Sequence, residues 1–232
     1  MPHPLQPMGP LIQDPAFSLR FRLRQPVPAK AKSCMVLLHG VGGDEMNLAG
    51  LAMHVEPDAL VVLARGPLEL GPGQFGWFRV AFTAAGPSIV APEAEQSRLA
   101  LIRFLGELRT AYGVTAERTL IAGFSQGGIL SASVALSAPA SVAGFAVLSG
   151  RILPELEPVL GAPEGLRGLS GFIGHGEFDS KLPAAWAHRS DEWLTALGVP
   201  HLTRLYPMDH ELGAAMAADF LAWSRDMMGG AR

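Results

Sequence analysis

The stretch Thr-Leu-Ile-Ala-Gly-Phe-Ser-Gln-Gly-Gly, residues 119–128, decides the fold that we expect for this chain. Residues 119–123 form a short apolar run that is typical of a buried strand, and residues 126–137 have the pattern of a helix that ends before Pro139. Between them lies a match to G-x-S-x-G, with Ser125 at its centre. This context places Ser125 on a tight strand-to-helix turn, with its hydroxyl pointing out from the carboxyl edge of a sheet.

The rest of the chain repeats this alternation of strands and helices. Further strands are expected at 17–24, 34–39, 59–64, 142–148, 171–175 and 201–206, and further helices at 44–54, 92–112, 183–197 and 211–228. Such an order predicts an α/β fold: a mostly parallel central sheet with helices on both faces. In the helix over 92–112, we expect Leu99, Ile102, Leu105 and Leu108 to share the apolar side.

Length and composition indicate one folded domain over residues 1–232, with a loose, Pro-rich segment at residues 1–15. The chain is 49% hydrophobic and only 17% charged, so it can bury enough surface to offset its ordering entropy. The net charge of −3 argues against a nucleic-acid partner. Because Cys34 is the only cysteine, an internal disulfide and a thiolate-rich zinc site are excluded.

Two observations bear on location. Residues 119–150 carry no charge, but Gly, Ser, Gln126 and Pro139 interrupt them, so we interpret them as a buried strand–helix–strand unit rather than a membrane span. The first seven residues lack the basic and apolar regions of a secretion signal. We therefore expect a cytoplasmic protein without integral membrane association.

A serine hydroxyl needs a base, and His210 is the best candidate. It follows the last predicted strand, so it would lie at the same sheet edge as Ser125. His39 and His175 are the serious rivals, because each ends a predicted strand and precedes a glycine.

The acid that would orient this histidine should follow a strand between Ser125 and His210. The segment Gly174-His175-Gly176-Glu177-Phe178-Asp179 supplies Asp179, with Glu177 as the nearest alternative. Asp179 could instead be a simple helix cap ahead of Pro183.

Negative charge that develops on a substrate carbonyl needs two N–H donors. The first is the backbone of Gln126, at the start of a helix. The second should come from the glycine-rich loop His39-Gly40-Val41-Gly42-Gly43, which lacks the patterns of a phosphate-binding loop.

Residues 65–90 hold many Gly and Pro and no clear period, which suggests a functional loop. Its aromatic residues could line a hydrophobic pocket for an acyl group or simply pack the loop: Phe75, Trp77, Phe78 and Phe82. No His or Cys pair has zinc-protease spacing, so we expect neither a metal nor another cofactor.

Five sequence blocks in order resemble the phospholipase/carboxylesterase family of the α/β-hydrolase fold, which includes acyl-protein thioesterases and small bacterial carboxylesterases. The blocks are Leu38–Gly42, Trp77–Phe78, Gly123–Gly128, His175–Asp179 with Pro183, and His210–Glu211. The resemblance implies Ser125 as nucleophile, Asp179 as acid, His210 as base, and the backbone N–H groups of Val41 and Gln126 as oxyanion donors. It also allows a homodimer.

The resemblance implies a serine esterase that acts on a small-molecule ester. Because 232 residues leave little room for a lid, we expect a minimal cap or none, and an open site for short or medium acyl chains or lysolipid-type esters. Two departures from the family pattern bear on this reading, Arg79 after the Trp-Phe pair and Asp209 before the histidine. The alternatives are a thioesterase or amide hydrolase with the same residues, or a non-catalytic ligand-binding protein.

Overall fold

A seven-stranded sheet forms the centre of the molecule in the computed structural model. The structure describes residues 8–83 and 86–229, with the backbone alone at positions 82, 83 and 86. The strands of this sheet, in spatial order, are β1 (Phe21–Leu23), β3 (Ala59–Ala64), β2 (Ser33–Leu38), β8 (Thr119–Phe124), β9 (Gly144–Leu148), β10 (Ser170–Gly176) and β11 (His201–Tyr206). All neighbours pair in parallel except β1, which runs antiparallel to β3. The predicted fold class, a mostly parallel α/β sheet, is confirmed.

Helices cover both faces of this sheet: α1 (Ala49–Ala52), α2 (Ala91–Tyr112), α3 (Gln126–Ser137), α4 (Pro163–Arg167), α5 (Ala185–Ala196) and α6 (Ala214–Gly229). Phe104 of α2, Val134 of α3 and Leu194 of α5 belong to the core on one face. Leu51 of α1 and Phe220 of α6 belong to the core on the other. Every residue of β2 and β3 is buried, because both faces of the parallel strands are covered. Among the described residues, no helix combines the length and apolar character needed to cross a bilayer.

The apolar side of α2 differs from the prediction. Leu105 and Leu108 are buried as expected, but Leu99 is 49% exposed. The helix buries Leu101 and Phe104 instead, which lie seven and four residues before Leu108 and therefore on its face.

The N-terminal segment is held more tightly than we expected. The N–H of Gly9 donates to the carbonyl of Leu23, and the N–H of Ile12 donates to the carbonyl of Phe21, at 2.8 Å each. β1 is an edge strand, and its unpaired backbone groups offer this segment a partner. The prediction of a loose segment is therefore wrong for residues 8–15, while residues 1–7 lie outside the described part of the chain.

The region that we predicted as a loop, residues 65–90, folds mainly as two hairpins. The first joins β4 (Leu68–Gly71) to β5 (Gln74–Gly76), and the second joins β6 (Val80–Thr83) to β7 (Gly86–Ile89). Strands of three or four residues with several glycines carry too short a pattern to be read as alternation.

Glu45 anchors the turn after β2 through two arginines from β1 and the end of β3. Its buried carboxylate accepts hydrogen bonds from Nε of Arg22 at 2.7 Å and from Nε of Arg65 at 2.6 Å. Burial raises the pKa of Glu45, but the hydrogen bonds from Arg65 and Arg22 outweigh burial and lower it from 4.5 to about 2. A depressed pKa means that the folded state favours the ionised carboxylate.

We expect this carboxylate to make the fold acid-sensitive. Its contribution is present above pH 4.5 and is lost as the pH falls towards 2, and it amounts to at most about 3 kcal/mol. Urea unfolding of wild type and Glu45→Gln between pH 7 and pH 3 measures it, and the difference in unfolding free energy should shrink as the pH falls. Glu164→Gln, on an exposed ion pair, is the control. A difference that does not change with pH would contradict the assignment.

Candidate active site

Ser125 lies on a strained turn between β8 and α3. Its φ of 53° and ψ of −115° are unusual for a residue with a side chain, and its N–H donates to the carbonyl of Leu148 at 2.8 Å. A Cβ on Gly123 would overlap the backbone of Gly127, and a Cβ on Gly127 would overlap the carbonyl of Leu38. The two glycines therefore let α3 start close against the sheet, which leaves the Ser125 hydroxyl at its carboxyl edge.

The structure brings the three predicted side chains together at this edge. Nε2 of His210 lies 2.9 Å from Oγ of Ser125, and Nδ1 of His210 lies 2.7 Å from Oδ2 of Asp179. The three residues follow β8, β10 and β11, whose carboxyl ends meet at one edge because the strands are parallel. The arrangement is a continuous chain from hydroxyl to imidazole to carboxylate.

Asp179 is fixed on both of its oxygens. Its buried Oδ1 accepts the backbone N–H groups of Lys181 at 2.9 Å and of Leu182 at 2.7 Å. Oδ2 faces His210 and also lies 3.3 Å from Nε2 of His175. When this carboxylate accepts Nδ1–H of His210, the Nε2 atom is left unprotonated and can accept the hydroxyl proton of Ser125.

The other acids near His210 do not reach its ring. Glu177 is exposed and contributes its backbone N–H to the carbonyl of Tyr206. The carboxylate of Asp209 accepts the N–H and hydroxyl of Ser180 and the backbone N–H of His210, and these hydrogen bonds lower the pKa of Asp209. Asp209 therefore binds the backbone N–H of His210, whereas Asp179 binds the ring of His210.

The rival histidines are engaged elsewhere. Nε2 of His39 accepts the N–H of Gly66 at 2.9 Å, and its Nδ1 lies 2.7 Å from the carbonyl of Gly40. Nε2 of His175 donates to the carbonyl of Leu182 at 2.7 Å. Burial lowers the pKa of both histidines. Within the described chain, neither ring contacts Ser125.

The two predicted oxyanion donors, Val41 and Gln126, line the same cavity as Ser125. Gln126 is the first residue of α3, and Val41 lies in the loop after β2. A Cβ on Gly40 would lie 3.4 Å from Cβ of Ser125, so this loop runs directly beside the serine. Among the described residues, no acceptor bonds to the N–H of either Val41 or Gln126. Their role as donors to a substrate oxygen stays a prediction.

The side chain of Gln126 has a role that we did not predict. Its Oε1 accepts the N–H of Trp77 at 2.7 Å, and its Nε2 donates to the carbonyl of Phe78 at 2.6 Å. The indole of Trp77 donates to the carbonyl of His39 at 3.0 Å. These bonds tie the segment between the two hairpins to the turn at Ser125 and to the loop after β2. An amide beside the serine in G-x-S-x-G was the only sequence signal for this role.

A cavity of about 260 Å³ opens beside the serine. It is lined by Gly40, Val41, Phe78, Val80, Pro87, Ile89, Phe124, Ser125, Gln126, Ile129, Arg151, Lys181, Leu182 and His210. Three of the apolar wall residues, Val80, Pro87 and Ile89, come from the second hairpin, which our sequence analysis did not single out. A second, more open cavity of about 810 Å³ lies on the other side of Val41 and His210.

Of the proposed aromatic wall residues whose side chains the structure describes, one lines the cavity. Phe78 does, whereas Trp77 is fully buried beneath the loop and Phe75 packs under the guanidinium of Arg65, 4.3 Å away. The prediction is therefore corrected for Trp77 and Phe75, which act in loop packing. Phe82 lies in β6, and its side chain lies outside the described residues. Arg79, the first departure from the family pattern, pairs with Glu93 and does not line the cavity.

The described residues contain no group of three or more His, Cys, Asp or Glu side chains able to hold a metal ion.

Comparison with known proteins gives a family and a set of related folds. The model of the phospholipase/carboxylesterase family matches residues 25–222. Acyl-protein thioesterase 1 of Eremothecium gossypii is 27% identical over 214 residues, which span 83% of this chain and 87% of the relative.

Solved structures show the same architecture. A carboxylesterase from Mesorhizobium loti superposes with a TM-score of 0.78 at 26% identity, covering 92% of this chain and 97% of the other. Acyl-protein thioesterase 2 of Zea mays superposes with a TM-score of 0.76 at 18% identity, covering 90% and 99% of the two chains, and supports the fold alone.

Proposed function

Because the chain belongs to the phospholipase/carboxylesterase family of serine hydrolases, we propose that it cleaves carboxylic esters of short or medium acyl chain length through an acyl-enzyme on Ser125. The observation that carries this proposal is the hydrogen-bonded chain from Ser125 through His210 to Asp179. This geometry supports a nucleophile, a general base and an orienting acid in those roles.

In the proposed reaction, Nε2 of His210 takes the hydroxyl proton as Oγ of Ser125 attacks the ester carbonyl. The N–H groups of Val41 and Gln126 donate to the oxyanion of the tetrahedral intermediate; one such donor is typically worth about 10²–10³ in rate. His210 then gives its proton to the leaving alcohol, and the acyl group stays on Ser125. A water molecule, deprotonated by His210, releases the acid and restores the serine.

The two cavities suit different parts of an ester substrate. The smaller one has walls of Phe78, Val80 and Ile89, which suit an acyl chain. At roughly 30 Å³ for each water-sized group, its volume holds on the order of eight such groups. The larger, more open cavity on the far side of His210 suits the alcohol, which can also be the glycerol portion of a lysolipid-type ester.

A thioester is the second candidate substrate. The observation that favours it is the similarity to an acyl-protein thioesterase of Eremothecium gossypii. The same groups can act on either carbonyl, because the attacking serine and the oxyanion donors do not depend on the leaving atom.

The acyl-chain dependence tests the proposal. With nitrophenyl esters of increasing length, we expect kcat/KM to rise to roughly eight carbons and then fall, since the cavity is then full. A matched ester and thioester of the same acyl group separate the two candidate activities. Val80→Phe should move the optimum to shorter chains, whereas Val159→Phe, at an exposed site outside the cavity, should leave it in place. A steady rise to long chains would contradict the proposal.

A further inference from the structure

Arg151 is a buried cation at the wall of the cavity that contains the Ser125 hydroxyl. The residue follows β9 and is only 7% exposed. Its Nε is fully buried without a hydrogen-bond acceptor, and no carboxylate among the described residues forms an ion pair with the guanidinium. The group contacts the ring of Trp186 instead, with Cζ 4.5 Å from the ring centroid.

A buried guanidinium without a hydrogen-bond acceptor destabilises the folded protein unless a ligand supplies the acceptor. A guanidinium stays protonated in proteins, and taking it out of water without an anionic partner is unfavourable. Burial indeed lowers the pKa of Arg151, with only Glu155 acting in the opposite direction from a distance. A Met or Leu would fill the same space without this penalty. Arg151 lines the cavity that contains the Ser125 hydroxyl, so a ligand there can supply an acceptor for the guanidinium.

The backbone around Arg151 places it close to the serine. Ser149, two residues before Arg151, has a φ of 49°, and a Cβ on Gly150 would lie 2.9 Å from the carbonyl oxygen of Ser125. On the other side, the N–H of Ile152 donates to Oγ of Ser190 on α5 at 3.2 Å. The segment is therefore held between the turn of the nucleophile and a helix of the core.

A second cation lines the same cavity. Lys181 is exposed, and its backbone N–H donates to the carboxylate of Asp179. It lines the same cavity as His210. No Asp or Glu is among the described residues that line this cavity. The wall that faces the acyl group thus combines apolar surface with two positive charges and no negative one.

We propose that Arg151, assisted by Lys181, binds a carboxylate at the far end of the acyl group, so that half-esters of short dicarboxylic acids are the preferred substrates. This inference rests on the proposed function. The planar fork of a guanidinium matches a carboxylate in two parallel hydrogen bonds. The volume of about 260 Å³ must hold the connecting methylenes as well, which favours the compact carboxylate over a phosphate.

The test compares two substrates of similar length at one ionic strength, monoethyl glutarate and ethyl pentanoate. Wild type should show a higher kcat/KM on the half-ester, and Arg151→Gln should lower the ratio of the two values by about 10- to 100-fold. Arg151→Lys should retain part of the preference, and Lys181→Met should lower the ratio less, because Lys181 is exposed. Arg189→Gln is the matched control: Arg189 lies 4.9 Å from the same ring of Trp186 but does not line the cavity, so the ratio should not change.

The outcomes separate this inference from the function on which it rests. Equal kcat/KM on the two esters in wild type, or an equal loss of preference in Arg189→Gln, would overturn the subsite while leaving an esterase. A preference for butyryloxyacetate over ethyl butyrate that exceeds the glutarate preference would place the anion on the alcohol side and overturn the acyl assignment. Failure to cleave any of these esters would overturn the proposed function itself. If Arg151→Gln does not fold, the wild-type ratio and Lys181→Met still decide.

Discussion

Ser125→Ala is expected to lower kcat/KM on a short-chain ester by about 10⁴–10⁶-fold, because the variant has no nucleophile to form the acyl-enzyme. The substitution removes one oxygen whose partner is the ring of His210 and keeps a Cβ at the same strained φ of 53°. We therefore expect the thermal midpoint to stay close to that of wild type. Initial rates and thermal unfolding of the two proteins measure both effects.

Covalent labelling tests independently whether Ser125 is the nucleophile. A fluorophosphonate should modify wild type on the peptide that contains Ser125, seen by mass spectrometry, and should not modify Ser125→Ala. Ser88→Ala is the matched control, since Ser88 is an exposed serine of the second hairpin outside the cavity lining. Wild-type turnover by Ser125→Ala would remove this serine from the mechanism. A wild-type protein that binds esters without cleaving them would point to the ligand-binding alternative.

The elements that sequence could predict are those with a strong local signature. The strand before Ser125, the helix after it and the tight turn between them have a hydrophobic pattern and glycine positions that few other structures satisfy. The positions of Asp179 and His210 followed from a general property of parallel sheets, since residues after successive strands arrive at one edge.

The site walls could not be predicted in this way, because they depend on tertiary contacts. Trp77 and Phe78 are adjacent and both aromatic, yet one packs beneath the loop and the other faces the cavity. The difference arises from hydrogen bonds to Gln126 and His39, which are distant in sequence. Arg151 is a stronger example, since nothing in the residues around it indicates that a charge after β9 is buried without a partner.

Asp179→Asn is expected to lower kcat/KM by about 10⁴-fold while the fold is preserved, because the amide would hold His210 in the wrong tautomer. Oδ1 of Asp179 accepts two N–H groups, from Lys181 and Leu182, so the carbonyl oxygen of an Asn must occupy that position. Its NH₂ group then faces Nδ1 of His210 and donates to it. The ring proton moves to Nε2, which can no longer accept the hydroxyl proton of Ser125. The opposite orientation would place NH₂ against two donors and is unfavourable for that reason.

Kinetics and thermal unfolding of three variants decide whether this account is correct. Glu177→Gln replaces the other acid of the same segment, which is exposed and makes no contact with the ring among the described residues, so its activity should remain close to that of wild type. Asp209→Asn should lose far less than Asp179→Asn, since Asp209 accepts the backbone N–H of His210 and not Nδ1–H. A loss of kcat/KM by thousands-fold in either of these variants, with Asp179→Asn nearly unaffected, would show that another residue orients the histidine. The expected order instead follows from which carboxylate oxygen lies 2.7 Å from Nδ1, because that hydrogen bond keeps the ring proton on Nδ1.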